Sequence, residues 1–158
     1  MTPIVHENWV IASSYQAGLI GIKISKVGEE WKAERAWNQK NMGINFSSPV
    51  AVGPYLCGLT SGRKWICADI RTGEVMWTKP ELFSSSMEKD FAGFIAMKDR
   101  LLVLTYSGQL LLVAADPKEF RLISGVKICE ETWCNPAYSD GRLFLRDNKE
   151  LKCISLLP

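Results

Sequence analysis

Histidine is almost missing from this sequence, and neither basic nor acidic residues are in strong excess. His6, in "VHENW", is the single histidine. We interpret it as a turn or surface residue, because one imidazole alone is little from which to build a nucleophile or metal centre. The 19 basic and 17 acidic residues leave a net charge of +2, which gives no electrostatic case for nucleic acid or anionic membrane as a partner.

Long apolar runs are also absent. No stretch approaches the roughly 20 apolar residues that a membrane-spanning helix requires. The opening "MTPIVHENWV" has no basic segment followed by an apolar one, so no signal peptide is predicted there. Either the chain is cytoplasmic, or Met1 is not the natural beginning of the protein. Its 158 residues, 47% apolar and 23% charged, suffice for one globular domain with its own core.

The five cysteines are an odd number and cannot all pair within one chain. Cys129 and Cys134, in "CEETWC", could form a local disulfide or supply two metal ligands. A zinc site would need a second pair or nearby histidines, so structural or free thiols are favoured. Cys67 and Cys153 lie within apolar strand patterns, where cysteine acts as a small hydrophobe.

The stretch "CADIRTGEVMW" reads as a β-hairpin. Asp69 ends one strand and can accept hydrogen bonds from the N–H groups of the following turn. Gly73 can take the positive φ that a tight turn needs, and Trp77 is then a large apolar anchor on the returning strand.

The chain repeats such a unit four times. Each unit has a start residue, a short strand, a glycine-containing turn and further strands. The starts are separated by 46, 45 and 42 residues, at Pro3, Pro49, Phe94 and Pro136. The middle turns are separated by 44 and 46 residues, at Gly18, Gly62 and Gly108. A β-sandwich would also contain many short strands, but it predicts no similarity at a fixed interval.

This period predicts an all-β fold, a β-propeller of four-stranded antiparallel blades. We expect one propeller segment over 1–158, with about four blades, partial or open. The predicted blades span 2–45, 46–91, 92–132 and 133–158, the last of them incomplete. The segment Lys79 to Phe91 is interpreted as a helical turn or an irregular connection.

The hairpin resembles the tryptophan-docking repeat of pyrroloquinoline-quinone (PQQ) type propellers. The matching residues are Cys67, Asp69, Thr72, Gly73 and Trp77. The rest of the chain is similar to PQQ-like repeat proteins of bacteria, a class that includes outer-membrane assembly factors of the BamB type. The resemblance implies that Trp77 packs against the adjacent blade, and that the protein lies in the periplasm or outside the cell.

The other units depart from this motif. In the first, "KISKVGEEW" makes Trp31 the expected counterpart of Trp77, without the Thr-Gly pair. In the third, Asp116 is followed by "PKEFRLI", which has no tryptophan. Complete family members have about seven or eight blades. The chain therefore looks like the C-terminal half of a larger propeller, or a half-propeller that needs a partner, with an unpaired strand edge near Leu151 to Leu156. We expect it to form a homodimer through its open blade edges or to aggregate.

Two functions fit these patterns. The favoured one is a non-catalytic scaffold or protein-binding module, with Trp31 and Trp37 in "EEWKAERAW" as candidate partner contacts. The alternative is the C-terminal part of a PQQ-dependent dehydrogenase, which would bind the quinone and calcium. No Cys-Cys pair or oxygen-rich loop supports the alternative, and Glu130 and Glu131 are interpreted as solvated. We therefore assign no catalytic, cofactor-binding or metal-binding residue.

Overall fold

The computed structural model describes residues 1–14, 16–80, 89 and 91–156. Residues 81–88 and 90, within the segment expected to be a helical turn or an irregular connection, lie outside the described residues. The described residues form strands β1 (Ile4–His6), β2 (Trp9–Ser14), β3 (Gly18–Val27), β4 (Glu30–Gln39), β5 (Val50–Val52), β6 (Tyr55–Leu59), β7 (Lys64–Asp69), β8 (Val75–Pro80), β9 (Ala92–Ala96), β10 (Arg100–Thr105), β11 (Gln109–Ala114), β12 (Leu122–Lys127), β13 (Ala137–Ser139), β14 (Arg142–Arg146) and β15 (Leu151–Ser155).

The strands form four separate antiparallel sheets, each made from consecutive strands. Their orders are β1-β2-β3-β4, β5-β6-β7-β8, β9-β10-β11-β12 and the three-stranded β13-β14-β15. We name these sheets blades 1 to 4. The all-β prediction of about four blades built from antiparallel meanders is confirmed.

One hydrogen bond recurs in every blade and fixes which positions are equivalent. A backbone N–H of the third strand, or just after it, donates to the carbonyl of the residue that precedes the second strand. The pairs are Ile24 to Asn8 at 2.8 Å, Ile70 to Pro54 at 2.9 Å, Ala115 to Asp99 at 3.0 Å and Leu156 to Gly141 at 2.8 Å. Ile24, Ile70, Ala115 and Leu156 are therefore structurally equivalent.

A β-bulge also recurs, in the fourth strands of blades 1, 2 and 3. On the third strand, the pairing register shifts three residues before Ile24, Ile70 and Ala115. One residue of the fourth strand is left unpaired at each shift. The unpaired residues are Ala36, Met76 and Ile123. The residues that follow each bulge, and so occupy one equivalent position, are Trp37, Trp77 and Ser124.

The core lies between the blades rather than within any one of them. A single small sheet cannot bury both faces, so each neighbour supplies the apolar partner. Ile11 and Leu19 of blade 1 pack with Leu56 and Ile66 of blade 2. Blades 2 and 3 meet through a cluster that includes Leu59, Trp65, Val103 and Leu111. Blades 3 and 4 meet through a cluster that includes Leu104, Leu110, Leu143 and Leu145.

Candidate functional site

The Asp69 turn is closed by its own hydrogen bonds. Oδ1 of Asp69 accepts from the backbone N–H groups of Arg71 at 2.8 Å and Thr72 at 2.9 Å. Thr72 Oγ1 in turn accepts from the N–H of Glu74 at 3.1 Å, and Gly73 has a φ of 71°. The aspartate, threonine and glycine of the motif thus build the hairpin that carries Trp77.

Trp77 contacts the next blade. Its Nε1 donates to the backbone carbonyl of Asp116 at 2.8 Å. Its ring meets Phe120 edge to face, with centroids 5.8 Å apart and an interplanar angle of 82°. The indole therefore fills an apolar space and satisfies a backbone acceptor across the junction of blades 2 and 3.

Trp37 makes the equivalent contact between blades 1 and 2. Its Nε1 donates to the carbonyl of Ile70 at 3.0 Å, and its ring lies so close to Gly73 that a Cβ there would be 2.5 Å from Cδ2. The expectation that Trp31 is the counterpart of Trp77 was therefore wrong. The β3–β4 hairpin extends well beyond the bulge, so Trp31 lies near its tip, six residues before the docking position.

Trp31 projects into solvent. The side chain is 70% exposed, Val27 near it is 56% exposed, and Lys26 Nζ lies 5.7 Å from the centroid of the Trp31 ring. Of the two tryptophans expected at a partner surface, Trp37 makes an internal contact and Trp31 is available to another molecule.

The structure also brings together four aromatic side chains that the sequence analysis missed. The Trp133 ring lies 5.5 Å from Phe46, 5.5 Å from Phe91 and 5.3 Å from Tyr106, centroid to centroid. Phe46 is 54% exposed and Trp133 48% exposed. Tyr106 also donates its hydroxyl to Glu131 Oε2 at 2.7 Å, so Glu131 is hydrogen-bonded rather than simply solvated.

All five cysteines are free thiols. Cys57 and Cys67 are buried partners in the β6–β7 register, and the hydrogen bond between the two thiols, together with burial, raises the pKa of Cys67. Burial also raises the pKa of Cys129. The thiols of Cys67 and Cys129 are therefore protonated at neutral pH, whereas the hydrogen bond with Cys67 lowers the pKa of Cys57. Cys153, which was expected in apolar surroundings, is exposed, because it lies on the outer face of blade 4.

Asp147 caps the turn between β14 and β15. Oδ1 accepts from the N–H groups of Lys149 at 2.8 Å and Glu150 at 2.9 Å, and Oδ2 accepts from Glu130 at 3.1 Å. These backbone donors lower the pKa of Asp147 from 3.8 to about 2. The carboxylate therefore ties the turn of blade 4 to the connection from blade 3.

We expect Asp147→Ala to lower the melting temperature at neutral pH. Because the folded-state pKa is depressed, the ionised group stabilises the fold fully above about pH 4 and loses this effect as the pH falls towards 2. The difference in melting temperature between wild type and variant should therefore shrink over that window, as followed by circular dichroism. Asp99→Ala, which removes a 74% exposed carboxylate, is the control and should show little effect. A wild-type advantage that stayed constant from pH 6 to pH 2 would contradict this role.

Within 1–14, 16–80, 89 and 91–156, no three His, Cys, Asp or Glu side chains are grouped so as to hold a metal ion. That part of the chain also offers no apolar helix of membrane-spanning length. The features that stand out are instead exposed apolar and aromatic side chains.

No family model and no curated protein matches the chain by sequence. Among solved structures, BamB from Moraxella catarrhalis matches with a TM-score of 0.70 and 15% identity, over 90% of this chain and 38% of that chain. A chain in a structure of Saccharomyces cerevisiae Dbp5 bound to Nup159, Gle1, IP6 and ADP matches with a TM-score of 0.59 and 11% identity. That match covers 98% of this chain and 44% of the other.

At these identities the comparisons show the fold alone. With the four antiparallel sheets, the BamB match confirms the predicted BamB-like propeller fold. The chain spans 38% and 44% of the lengths of these two structures, so the activities and partners of those proteins do not transfer with the fold.

Proposed function

We propose that the chain is a non-catalytic β-propeller scaffold that binds another protein. The observation that carries this proposal is the exposure of apolar side chains on the outer face of blade 4. There Leu151 is 75% exposed and Phe144 37% exposed, and Phe144 pairs with the exposed Cys153. At the three junctions between blades, such side chains are buried. The exposed Arg142 and Arg146 lie on the same face, so it combines apolar and basic side chains, as protein-interaction surfaces do.

The opposite end of the blade row supports the same proposal. Val5, which pairs with Val10 across β1 and β2, is 73% exposed. A partner that supplied one more blade face at each end would bury both surfaces. A second copy of this chain or the other half of a propeller would meet that description. Nucleic acid would not, because it needs a basic surface and the net charge is only +2.

Self-association of the isolated chain tests the proposal. We expect light scattering at micromolar concentration to give a mass above that of a monomer, because association would bury the exposed apolar side chains at the two ends of the blade row. Leu151→Glu should shift the distribution towards monomer, since it places a charge on the edge strand β15. Asn148→Glu is the matched control, because it makes the same change from a neutral residue to glutamate in the adjacent exposed turn. A folded wild-type monomer at that concentration would count against the proposal.

Trp31 provides a second proposed contact with a protein partner. Its exposure and lack of an internal docking role fit the tryptophan-rich hot spots of protein interfaces. We expect Trp31→Ala to change the free energy of unfolding by less than about 0.5 kcal/mol while reducing partner retention in a pull-down. The corresponding Trp37→Ala should mainly destabilise the fold. Retention by Trp31→Ala equal to that of wild type would remove this contact from the proposal.

The proposal includes the absence of a resident cofactor. In the alternative, a quinoprotein dehydrogenase, carboxylates would have to surround calcium next to PQQ. Asp69 and Asp147 instead accept backbone hydrogen bonds in turns, so these residues do not fit that centre. Titration with PQQ and calcium should leave tryptophan fluorescence unchanged. Tight calcium-dependent quenching, with oxidation of an alcohol or a sugar, would favour the dehydrogenase.

A further inference from the structure

The junction between blades 3 and 4 differs from the other two in its docking position. After the recurring bulge, blades 1 and 2 carry Trp37 and Trp77, whereas blade 3 carries Ser124. Ser124 pairs with Leu112, whose side chain faces blade 4. The serine is exposed and too short to cross the junction, so the space that an indole fills elsewhere is open here.

A cavity of about 280 Å³ occupies this place, and Ser124, Leu112, Val126, Leu102 and Leu156 line it. A neighbouring cavity of about 210 Å³ shares Leu102 and Leu156 with the first. Side chains at the opening remain accessible, with Val126 55% exposed and Leu156 38% exposed. The site is thus an apolar slot that a side chain from outside the blade row can enter.

The slot also has a backbone acceptor in the position that an indole uses. Leu156 is equivalent to Ile70, since both donate their N–H to the carbonyl that precedes the second strand. The carbonyl of Ile70 accepts Nε1 of Trp37 at 3.0 Å. By analogy with the Trp37 junction, the carbonyl of Leu156 therefore corresponds to the acceptor of an indole N–H.

From these equivalences we infer that the slot binds a tryptophan side chain presented by a partner protein. Indole is the occupant because the two other junctions of this chain each hold one at the residue after the bulge, and each donates to a backbone carbonyl of the next blade. Trp37 uses the carbonyl of Ile70, and Trp77 uses that of Asp116, one residue beyond the equivalent Ala115. This inference rests on the proposed function and specifies the contact by which a partner is recognised.

A titration with N-acetyl-L-tryptophanamide tests the slot directly. In NMR spectra of the labelled chain, we expect saturable shifts in the backbone amides of Ser124, Val126 and Leu156, with a millimolar Kd. The derivative methylated on the indole nitrogen should bind several-fold more weakly, because it cannot donate to the Leu156 carbonyl. N-acetyl-L-alaninamide should produce no saturable shift at these residues. Absence of shifts there with the tryptophan probe would overturn the inference.

Filling the slot from within the chain is the matched genetic test. Ser124→Trp should weaken probe binding at least tenfold and raise the melting temperature, since it supplies the docking indole that blades 1 and 2 already have. Ser25→Trp, on the exposed β3–β4 hairpin, adds the same side chain elsewhere and should change neither quantity. Unchanged probe affinity in Ser124→Trp would contradict the assignment.

One further variant identifies the source of the indole. If Trp31 of a second copy occupied the slot, Trp31→Ala would bind the probe more tightly than wild type, and the assignment to a different partner protein would be wrong. Equal affinity in Trp31→Ala supports the assignment. Probe binding and light scattering are measured separately. A chain that is monomeric but still binds the probe would contradict self-association at the open blade faces without contradicting tryptophan binding in the slot.

Discussion

Trp77→Ala is expected to lower the free energy of unfolding by about 3 kcal/mol, at the lower end of the range for removing a large aromatic side chain. The indole is half-buried, so part of its surface is already in solvent. The substitution removes the edge-to-face contact with Phe120 and leaves the carbonyl of Asp116 without its donor. Chemical denaturation followed by far-UV circular dichroism measures the change.

Two controls separate the contributions to the Trp77 effect. Trp77→Phe keeps part of the apolar contact but loses the N–H donor and one ring, so it should cost more than the roughly 1 kcal/mol of a hydrogen bond and less than Trp77→Ala. Thr78→Ala changes the exposed neighbour of Trp77 and should have little effect. If Trp77→Ala and Thr78→Ala were equally stable, Trp77 could not be holding blades 2 and 3 together.

Gly108→Ala is the second substitution with a large expected effect. Gly108 has a φ of 80°, a conformation that costs an alanine about 1–2 kcal/mol. A Cβ there would also lie 2.6 Å from the carbonyl oxygen of Glu130, and still closer to that of Cys129. Because these obstacles are backbone atoms, relieving the overlap should cost on the order of another 2 kcal/mol. The sum should appear as a clear fall in the denaturation midpoint.

Gly28→Ala is the matched control for Gly108. Gly28 has a φ of 64°, and a Cβ there would meet nothing within 4 Å. Gly28→Ala therefore has the same conformational cost as Gly108→Ala but no steric overlap. Its free energy of unfolding should fall by the conformational contribution alone. Equal losses in the two variants would show that the connection after β12 does not pack against Gly108 as described.

The repeat could be predicted from the sequence because its signals are local. The Asp69 turn, the positive φ of Gly73 and the alternation of apolar residues each depend on a few neighbouring residues, and together they predict antiparallel blades. By contrast, no short-range sequence signal determines the length of the β3–β4 hairpin. Its outer part is exposed, so no burial pattern distinguishes the docking residue Trp37 from Trp31 near the tip.

The aromatic cluster could have been found from the sequence. Phe46, Phe91 and Trp133 each lie three residues before a repeat start, at Pro49, Phe94 and Pro136. Residues at one position of a radial repeat converge on one side of the blades, so three aromatic side chains in that position predict a cluster. Tyr106 could not have been added in this way, because it comes from a turn after β10.

The slot at the junction of blades 3 and 4 could be recognised only from the structure. From the sequence, the third unit was seen only to lack a tryptophan, and nothing indicated which residue stands in its place. The bulge between Leu112 and Val113 assigns that position to Ser124, and the hydrogen bond from Leu156 to Gly141 assigns the opposite wall. Both assignments depend on strand register, which the degenerate repeat does not determine.

Hydrogen exchange of the tryptophan indole N–H groups tests most directly whether neighbouring blades are held together by docked indoles. Single Trp→Phe variants would assign the six indole signals in the NMR spectrum. We expect Nε1–H of Trp37 and of Trp77 to exchange slowly, because each donates to a carbonyl of the next blade, and Nε1–H of Trp31 to exchange fast. Exchange of Trp77 as fast as that of Trp31 in the folded protein would show that a docked indole does not join blades 2 and 3.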